Sequence, residues 1–316
     1  MRILITGGNG FLGKHICNNL NSKGIKQIKD ISKKGDGYFI FNKKDFDLTN
    51  KNQCLNLIKK LKPTNIIHAA AKVGGIGANQ KYPADFFYEN IMMGVNLIDS
   101  CKNSEVNKIT IIGSVCSYPK ITDVPFKEKD LWNGYPEETN AAYGISKKVL
   151  LTQAISYKKQ YGLNFSYLML VNLYGPYDNF SEESSHVIPA LIKKFVEAKN
   201  QNKPFVEIWG TGQASREFLF VEDGAEAIVR SLNFDFDEPI NIGNGLEIKI
   251  TNLVSIIKTI VNYKGEIIFN SKYPDGQLRR CLDISKSKKI LSDYSNTSLY
   301  DGLNKTISWY LKNEKQ

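Results

Sequence analysis

The run Gly7-Gly8-Asn9-Gly10-Phe11-Leu12-Gly13 constrains this chain more than any other feature, because it sits between a short apolar segment and an amphipathic one. It satisfies GxGxxG through Gly8, Gly10 and Gly13, and GxxGxxG through Gly7, Gly10 and Gly13. Glycines at these spacings allow a tight turn from strand to helix and close approach of a ligand to the backbone. The helix that follows then presents its free N–H groups and positive dipole end to a diphosphate. Glycine loops also serve as plain turns. The placement after a first strand and before a first helix is what points to a dinucleotide.

The rest of the chain supports that placement. Residues 2–6, 25–31, 38–41, 65–71, 108–114 and 164–172 read as strands, and 11–22, 51–61, 83–102 and 142–161 as helices. Strands alternating with long helices predict parallel βαβ units, hence an α/β fold with a doubly wound parallel sheet of the Rossmann kind. Pro83 suits the first turn of its helix. After about residue 173 the alternation gives way to turn-rich segments such as Tyr174-Gly175-Pro176-Tyr177-Asp178 and Trp209-Gly210-Thr211-Gly212. A dinucleotide-binding domain over 1–172 and a smaller α/β substrate lobe over 173–316 are therefore expected, with some later strands rejoining the first sheet.

Charge says less than its size suggests. The 316 residues carry a net +10, from 42 Lys and Arg against 32 Asp and Glu. Only Arg2, Arg216, Arg230, Arg279 and Arg280 are arginines, and the lysines never run longer than two. That scatter predicts a solvated surface with no nucleic-acid partner. No apolar run approaches the roughly 18 residues of a membrane span, so no membrane partner is expected either. The N-terminus turns glycine-rich too soon for a signal peptide. Five cysteines (Cys17, Cys54, Cys101, Cys116, Cys281) form no CxxC pair. A reduced, cytoplasmic protein without a metal is the expectation.

Ser114 closes the strand over 108–114, on the carboxyl edge where ligands bind in this architecture. Tyr143 and Lys147 are four residues apart and share a helix face. A nearby ammonium favours the phenolate and would make Tyr143 a proton shuttle, with Ser114 bonding the same reacting oxygen. A lone YxxxK is ordinarily a surface pair. Joined to the glycine loop and a strand-terminal Ser, it reads as a ketone-reduction site. For the cofactor's 2′ position, Asp30 suits the hydroxyl of NADH, whereas Ser32, Lys33 and Lys34 suit the phosphate of NADPH; both remain open on the residues alone.

Several longer motifs are more specific. They are Ala69-Ala70-Ala71-Lys72-Val73-Gly74-Gly75-Ile76, Tyr82-Pro83-Ala84-Asp85-Phe86 and Gly113-Ser114-Val115-Cys116-Ser117-Tyr118-Pro119-Lys120. Others are the stretch from Asn172 to Phe180, Ser185-His186-Val187-Ile188-Pro189-Ala190-Leu191, Arg216-Glu217-Phe218-Leu219, and Tyr273-Pro274-Asp275-Gly276-Gln277 with Arg279-Arg280. On these residues, which span nearly the whole chain, it resembles the GDP-L-fucose synthase family of the extended short-chain dehydrogenase/reductase superfamily.

The resemblance implies an NADPH-dependent enzyme, with NADH not excluded, that epimerises C3 and C5 of a GDP-linked 4-keto-deoxysugar and reduces its C4 ketone. It implies Tyr143 as proton donor to the C4 oxygen, Lys147 on the nicotinamide ribose, Ser114 steadying the oxygen, and Cys116 and His186 as base and acid of epimerisation. It also implies Gly7, Gly10, Phe11, Leu12, Gly13, Lys33, Asp47, Leu48, Ala69 and Ala71 around the cofactor. Asn172, Val187, Lys194, Trp209, Arg216 and Arg280 are implied around the GDP-sugar, and a homodimer paired through helices 83–102 and 142–161. Taken outside their motifs, Cys116 reads as a small core residue and His186 as a helix start. The chain departs from the family at Asn9 and Lys194, where arginines are usual, at Ser117, and over 121–141. The alternatives are a stereospecific C4-reductase of a related hexose or heptose lacking epimerase activity, and a non-catalytic NADP(H)-sensing regulator.

Overall fold

The computed structural model describes residues 1–31, 35–273 and 275–313. Lys33, together with Ser32 and Lys34, lies outside the described residues. The first half runs β1 (Arg2–Thr6), α1 (Phe11–Ser22), β2 (Gly37–Ile40), α2 (Lys51–Leu61), β3 (Asn65–His68), α3 (Ile76–Lys81), α4 (Pro83–Cys101), β4 (Lys108–Ser114), α5 (Ala141–Tyr161) and β5 (Asn164–Leu170). β6 (Asn172–Tyr174), α6 (Val187–Asn200), β7 (Phe205–Trp209), β8 (Ser215–Phe220), α7 (Val221–Ser231) and β9 (Pro239–Ile242) follow. The chain closes with β10 (Glu247–Lys249), α8 (Ile250–Val261), β11 (Glu266–Asn270), α9 (Ser285–Leu291) and α10 (Leu299–Asn313).

Six strands form one parallel sheet in the order β2-β1-β3-β4-β5-β9. Its inner strands are apolar almost throughout, as at Ile3, Leu4, Ile5, Ile66, Ile67, Ile109, Ile111, Leu168 and Met169, all fully buried. Helices cover both faces, so both faces of each strand need apolar residues. This is the doubly wound α/β fold that the alternation predicts. β9 returns from the later half of the chain to the edge beside β5, and α7 packs on α1. The smaller lobe is built on the sheets β10-β8-β6 and β11-β7, with its own core of Ile188, Ile192, Phe195, Phe218, Phe220, Leu253, Ile257, Leu303 and Ile307.

One strand expectation is corrected. Residues 25–31 form no sheet strand and touch β2 only at a single bridge, Gln27 to Tyr38. The apolar residues there, Ile25, Ile28 and Ile31, recur every third position, and a half-buried strand needs alternation. β2 is instead Gly37–Ile40, with Tyr38 and Phe39 buried and paired to β1. Its carboxyl end therefore runs into Asn42, and Asp30 lies outside the sheet. Among the described residues no helix is long and apolar enough to cross a membrane.

Candidate active site

The glycine loop is shaped by two steric demands. Gly7 has φ of +71°, a left-handed conformation that glycine adopts freely, and a Cβ there would sit 2.7 Å from the Ala70 nitrogen. At Gly13 a Cβ would meet the Gly7 carbonyl oxygen at 2.0 Å, so α1 can start this close to β1 only without a side chain. Gly10 caps α1, whose first turn holds no acidic residue to compete with an incoming anion. Asn9 donates to Asn42 across the loop at 2.7 Å, joining it to the chain just beyond β2. Ala69 and Ala71 lie half-buried just past β3. Leu48 is buried, and Asp47 accepts from the Thr49 N–H and hydroxyl, which hold its carboxyl below the usual range.

Ser114 ends β4, and its oxygen accepts from the Cys116 N–H at 3.2 Å and lies in hydrogen-bond contact with the Tyr143 hydroxyl. The Lys147 ammonium is 5.6 Å from the centre of the Tyr143 ring. Lys147 is 2% exposed, and burial pushes its ammonium down to about 8. Among the described residues no acidic side chain pairs with it. Tyr143 departs from the expectation of a favoured phenolate. Loss of water, then the nearby Cys116, push its phenol well up, and the Ser114 hydrogen bond only partly offsets them. The phenol is thereby held in its protonated form, suited to donate.

Gly144 explains how Tyr143 meets Cys116. A Cβ at Gly144 would lie 2.4 Å from the Cys116 carbonyl oxygen, so a glycine directly after the tyrosine lets α5 lie against the short 3-10 turn Val115–Ser117. Cys17, Cys54, Cys101 and Cys281 are buried, whereas Cys116 is partly exposed, so it is not the core residue that its size alone suggests. The Arg280 guanidinium donates to its sulfur at 3.5 Å. His186 caps α6 with a side chain 43% exposed, and its Nδ1 faces Asp178 across 3.9 Å.

The Gly74–Gly75–Ile76 turn links the two sides. The Gly75 N–H donates to the Ser184 carbonyl, two residues before His186, and Gly74 packs near Phe86, which meets Tyr143 edge-to-face at 6.5 Å. Beyond it, residues 278–282 run along β8, through Ser215 N–H to Leu278 O and Glu217 N–H to Arg280 O. That pairing draws Arg216 and Arg280 together. Arg216 donates to the Ser215 and Asp275 carbonyls, and burial together with Arg280 pushes its guanidinium down to about 10. Two neighbouring guanidinium groups without a salt bridge to a carboxylate among the described residues suit a diphosphate. Arg279, by contrast, is engaged with Glu247 at 2.7 Å and turns away.

Trp209 is 60% exposed and stacks on Tyr273 at 4.4 Å, with the Lys194 ammonium 5.1 Å from its ring. Val187 is exposed at the start of α6, while the Asn172 amide is already bonded to the Glu217 carbonyl. Sequence reasoning missed Asn42, Gly144 and Glu217. The buried Glu217 carboxylate accepts from the Asn244, Gly245 and Leu282 N–H groups and so holds the strip that carries Arg280. Its position inside Arg216-Glu217-Phe218-Leu219 was the available signal.

The NAD dependent epimerase/dehydratase family model matches residues 3–243. GDP-L-fucose synthase of Escherichia coli (strain K12) is 36% identical over 323 residues, covering 99% of this chain and 97% of that one. The crystal structure of a GDP-6-OMe-4-keto-L-xylo-heptose reductase from C. jejuni superimposes with a TM-score of 0.90 at 30% identity, covering 98% of this chain and 97% of that one. A GDP-L-fucose synthetase from Naegleria fowleri, bound to NADP, gives a TM-score of 0.88 at 27% identity over 100% of this chain and 95% of that one.

Proposed function

Because the chain belongs to the NAD dependent epimerase/dehydratase family, and within it to the GDP-L-fucose synthase branch, we propose that it epimerises and reduces a GDP-4-keto-deoxysugar with NADPH. The product would be a sugar donor for surface polysaccharide. The observation that carries the reading is the Ser114, Tyr143 and Lys147 group on the sheet's carboxyl edge, with Cys116 alongside and, beyond, two arginines that form no salt bridge among the described residues.

The residues present fit a dinucleotide. Gly7 and Gly13 let the loop and α1 pack backbone to backbone against the end of β1, which sets the N-terminus of α1 at the sheet's carboxyl edge, and the buried Lys147 ammonium has no acidic partner among the described residues. Gly7, Gly10, Phe11, Leu12 and Gly13 would hold the diphosphate, Asp47, Leu48, Ala69 and Ala71 the adenosine side, and Lys147 the nicotinamide ribose. The preference for NADPH would rest on Lys33, as the resemblance implies, with the exposed Lys44 just beyond β2 as a second cation. Bound there, the nicotinamide supplies a hydride to C4.

The remaining chemistry belongs to the side chains. Cys116 removes a proton from carbon beside the ketone. Ser114 and Tyr143 hydrogen-bond the oxygen on which enolate charge develops. His186 returns a proton from the substrate lobe, which inverts the centre. Tyr143 then donates its proton to the C4 oxygen during reduction. Arg216 and Arg280 bind the diphosphate, Trp209 and Lys194 lie towards the base, and Asn172 and Val187 line the path between. A homodimer through α4 and α5 would cover the exposed Phe87, Tyr88 and Ile155.

Turnover of GDP-4-keto-6-deoxymannose with NADPH in D2O tests the reading. Deuterium at C3 and C5 of a reduced product is expected. A second reading, a C4-reductase without epimerisation, is favoured by the likeness to the heptose reductase. Reduction without deuterium at C3 or C5 would select it, and no reduction of any GDP-4-keto sugar would sink both.

A further inference from the structure

The chemistry above leaves one buried carboxylate without a task. Asp178 lies in the loop between β6 and α6, and its side chain is 2% exposed. Oδ1 accepts from the Asn179 N–H at 2.7 Å, while Oδ2 is buried with no hydrogen-bond partner. His186 Nδ1, also buried and unpartnered, faces this carboxylate at 3.9 Å. The oxygen nearest Nδ1 is Oδ1, so a carboxylate with one acceptor atom unused and a ring nitrogen without a partner stand 3.9 Å apart, an incomplete pair. Hydrogen bonds in catalytic groups are often long before substrate binds.

The loop is built to hold the carboxylate there. Tyr177, directly before it, has φ of +68°, a conformation a bulky residue adopts only when its surroundings impose it. Its ring is packed by Trp309 of α10 at 5.1 Å and His15 of α1 at 5.8 Å, with the Lys14 ammonium 4.5 Å from its centre. His15 Nε2 also bonds the Pro176 carbonyl at 2.9 Å. Elements of both lobes therefore fix the turn from which Asp178 points inward.

We propose that Asp178 positions His186. Its carboxylate accepts from Nδ1–H and sets the tautomer and plane of the imidazole, leaving Nε2 as the nitrogen that meets the sugar. Asp178 acts through His186 and does not touch substrate. The inference rests on the epimerase reading above.

The test compares wild type, D178N, H186Q and the double variant by deuterium incorporation at C3 and C5 from D2O, alongside C4 reduction and the thermal midpoint. D178N keeps the turn and the burial but removes the charge. We expect its exchange kcat to fall about 10- to 100-fold, with KM within about twofold. In the H186Q background the same substitution should cost nothing further, because the group it serves is gone. 15N NMR of the three histidines gives a readout independent of activity: the His186 signals should report Nδ1–H in wild type and lose that bias in D178N. Exchange in D178N equal to wild type, or losses that multiply in the double variant, overturns the positioning role while leaving the epimerase reading in place. Wild-type exchange in H186Q overturns His186 as the acid, and the role of Asp178 with it, whereas absence of exchange in the wild type overturns the epimerase reading itself.

Discussion

The reduction group and the epimerisation pair are built in different ways. Ser114, Tyr143 and Lys147 come from two neighbouring elements, β4 and α5, and Lys147 is sealed from water. Cys116 and His186 come from opposite lobes, and His186 keeps nearly half its side chain exposed. Hydride delivery requires one fixed line of approach, which a packed sheet and helix supply. Inverting a carbon requires proton transfer on two faces, which only groups standing on either side of the substrate can supply. The sheet side is preassembled around a buried Lys147, whereas the two groups of the other pair stand apart on different lobes.

The largest test of that contrast is Tyr143→Phe. It should cut C4 reduction by about 10²- to 10⁴-fold and slow deuterium exchange at C3 and C5 by much less, because Ser114 still bonds the enolate oxygen, while NADPH binding persists. Loss of exchange in parallel would mean the two sites are one unit. Cys116→Ser should do the reverse, lowering exchange by about 100-fold or more while an already epimerised 4-ketone is reduced within a few-fold of the normal rate.

Gly144→Ala strikes the joint between the two. Its Cβ would press on the Cys116 carbonyl at 2.4 Å, a backbone atom that cannot swing aside. We expect both activities to fall about tenfold and the fold to lose about 1–3 kcal/mol, read by thermal melting. Unchanged exchange with impaired reduction would place the strain on Tyr143 alone.

The smallest effect probes the dryness of the sheet side. Burial, then the Lys147 charge, push the His68 imidazole from 6.5 down to about 3. Between those values the unfolded chain binds the proton and the folded one does not, so stability falls as pH drops below about 6.5. From pH 6.5 to 5 the loss is about 2 kcal/mol, or roughly 4 °C. His68→Asn should flatten that part of the melting profile; an unaltered profile would mean water reaches β3.

Local patterns carried much of this. The glycine loop, the βαβ alternation and the Tyr143–Lys147 spacing are short-range features, and periodicity and sterics act over a few residues. The segment 25–31 misled because three evenly spaced isoleucines were read without their period, which moved the end of β2 from Asn42 to Asp30. At Tyr143 the proximity of a lysine is visible in the spacing, but the burial that raises the phenol and lowers the ammonium is not.

By itself the sequence determined the parallel sheet and marked the glycine loop and the Ser114, Tyr143 and Lys147 group as candidates, because each depends on neighbours along the chain. Tertiary structure alone decided that Arg216 and Arg280 face one another while Arg279 pairs with Glu247, that Gly144 admits Cys116 to Tyr143, and that Asp178 looks at His186. Those contacts join segments far apart in the chain. Burial and backbone pairing set them, and neither is written in the spacing of residues.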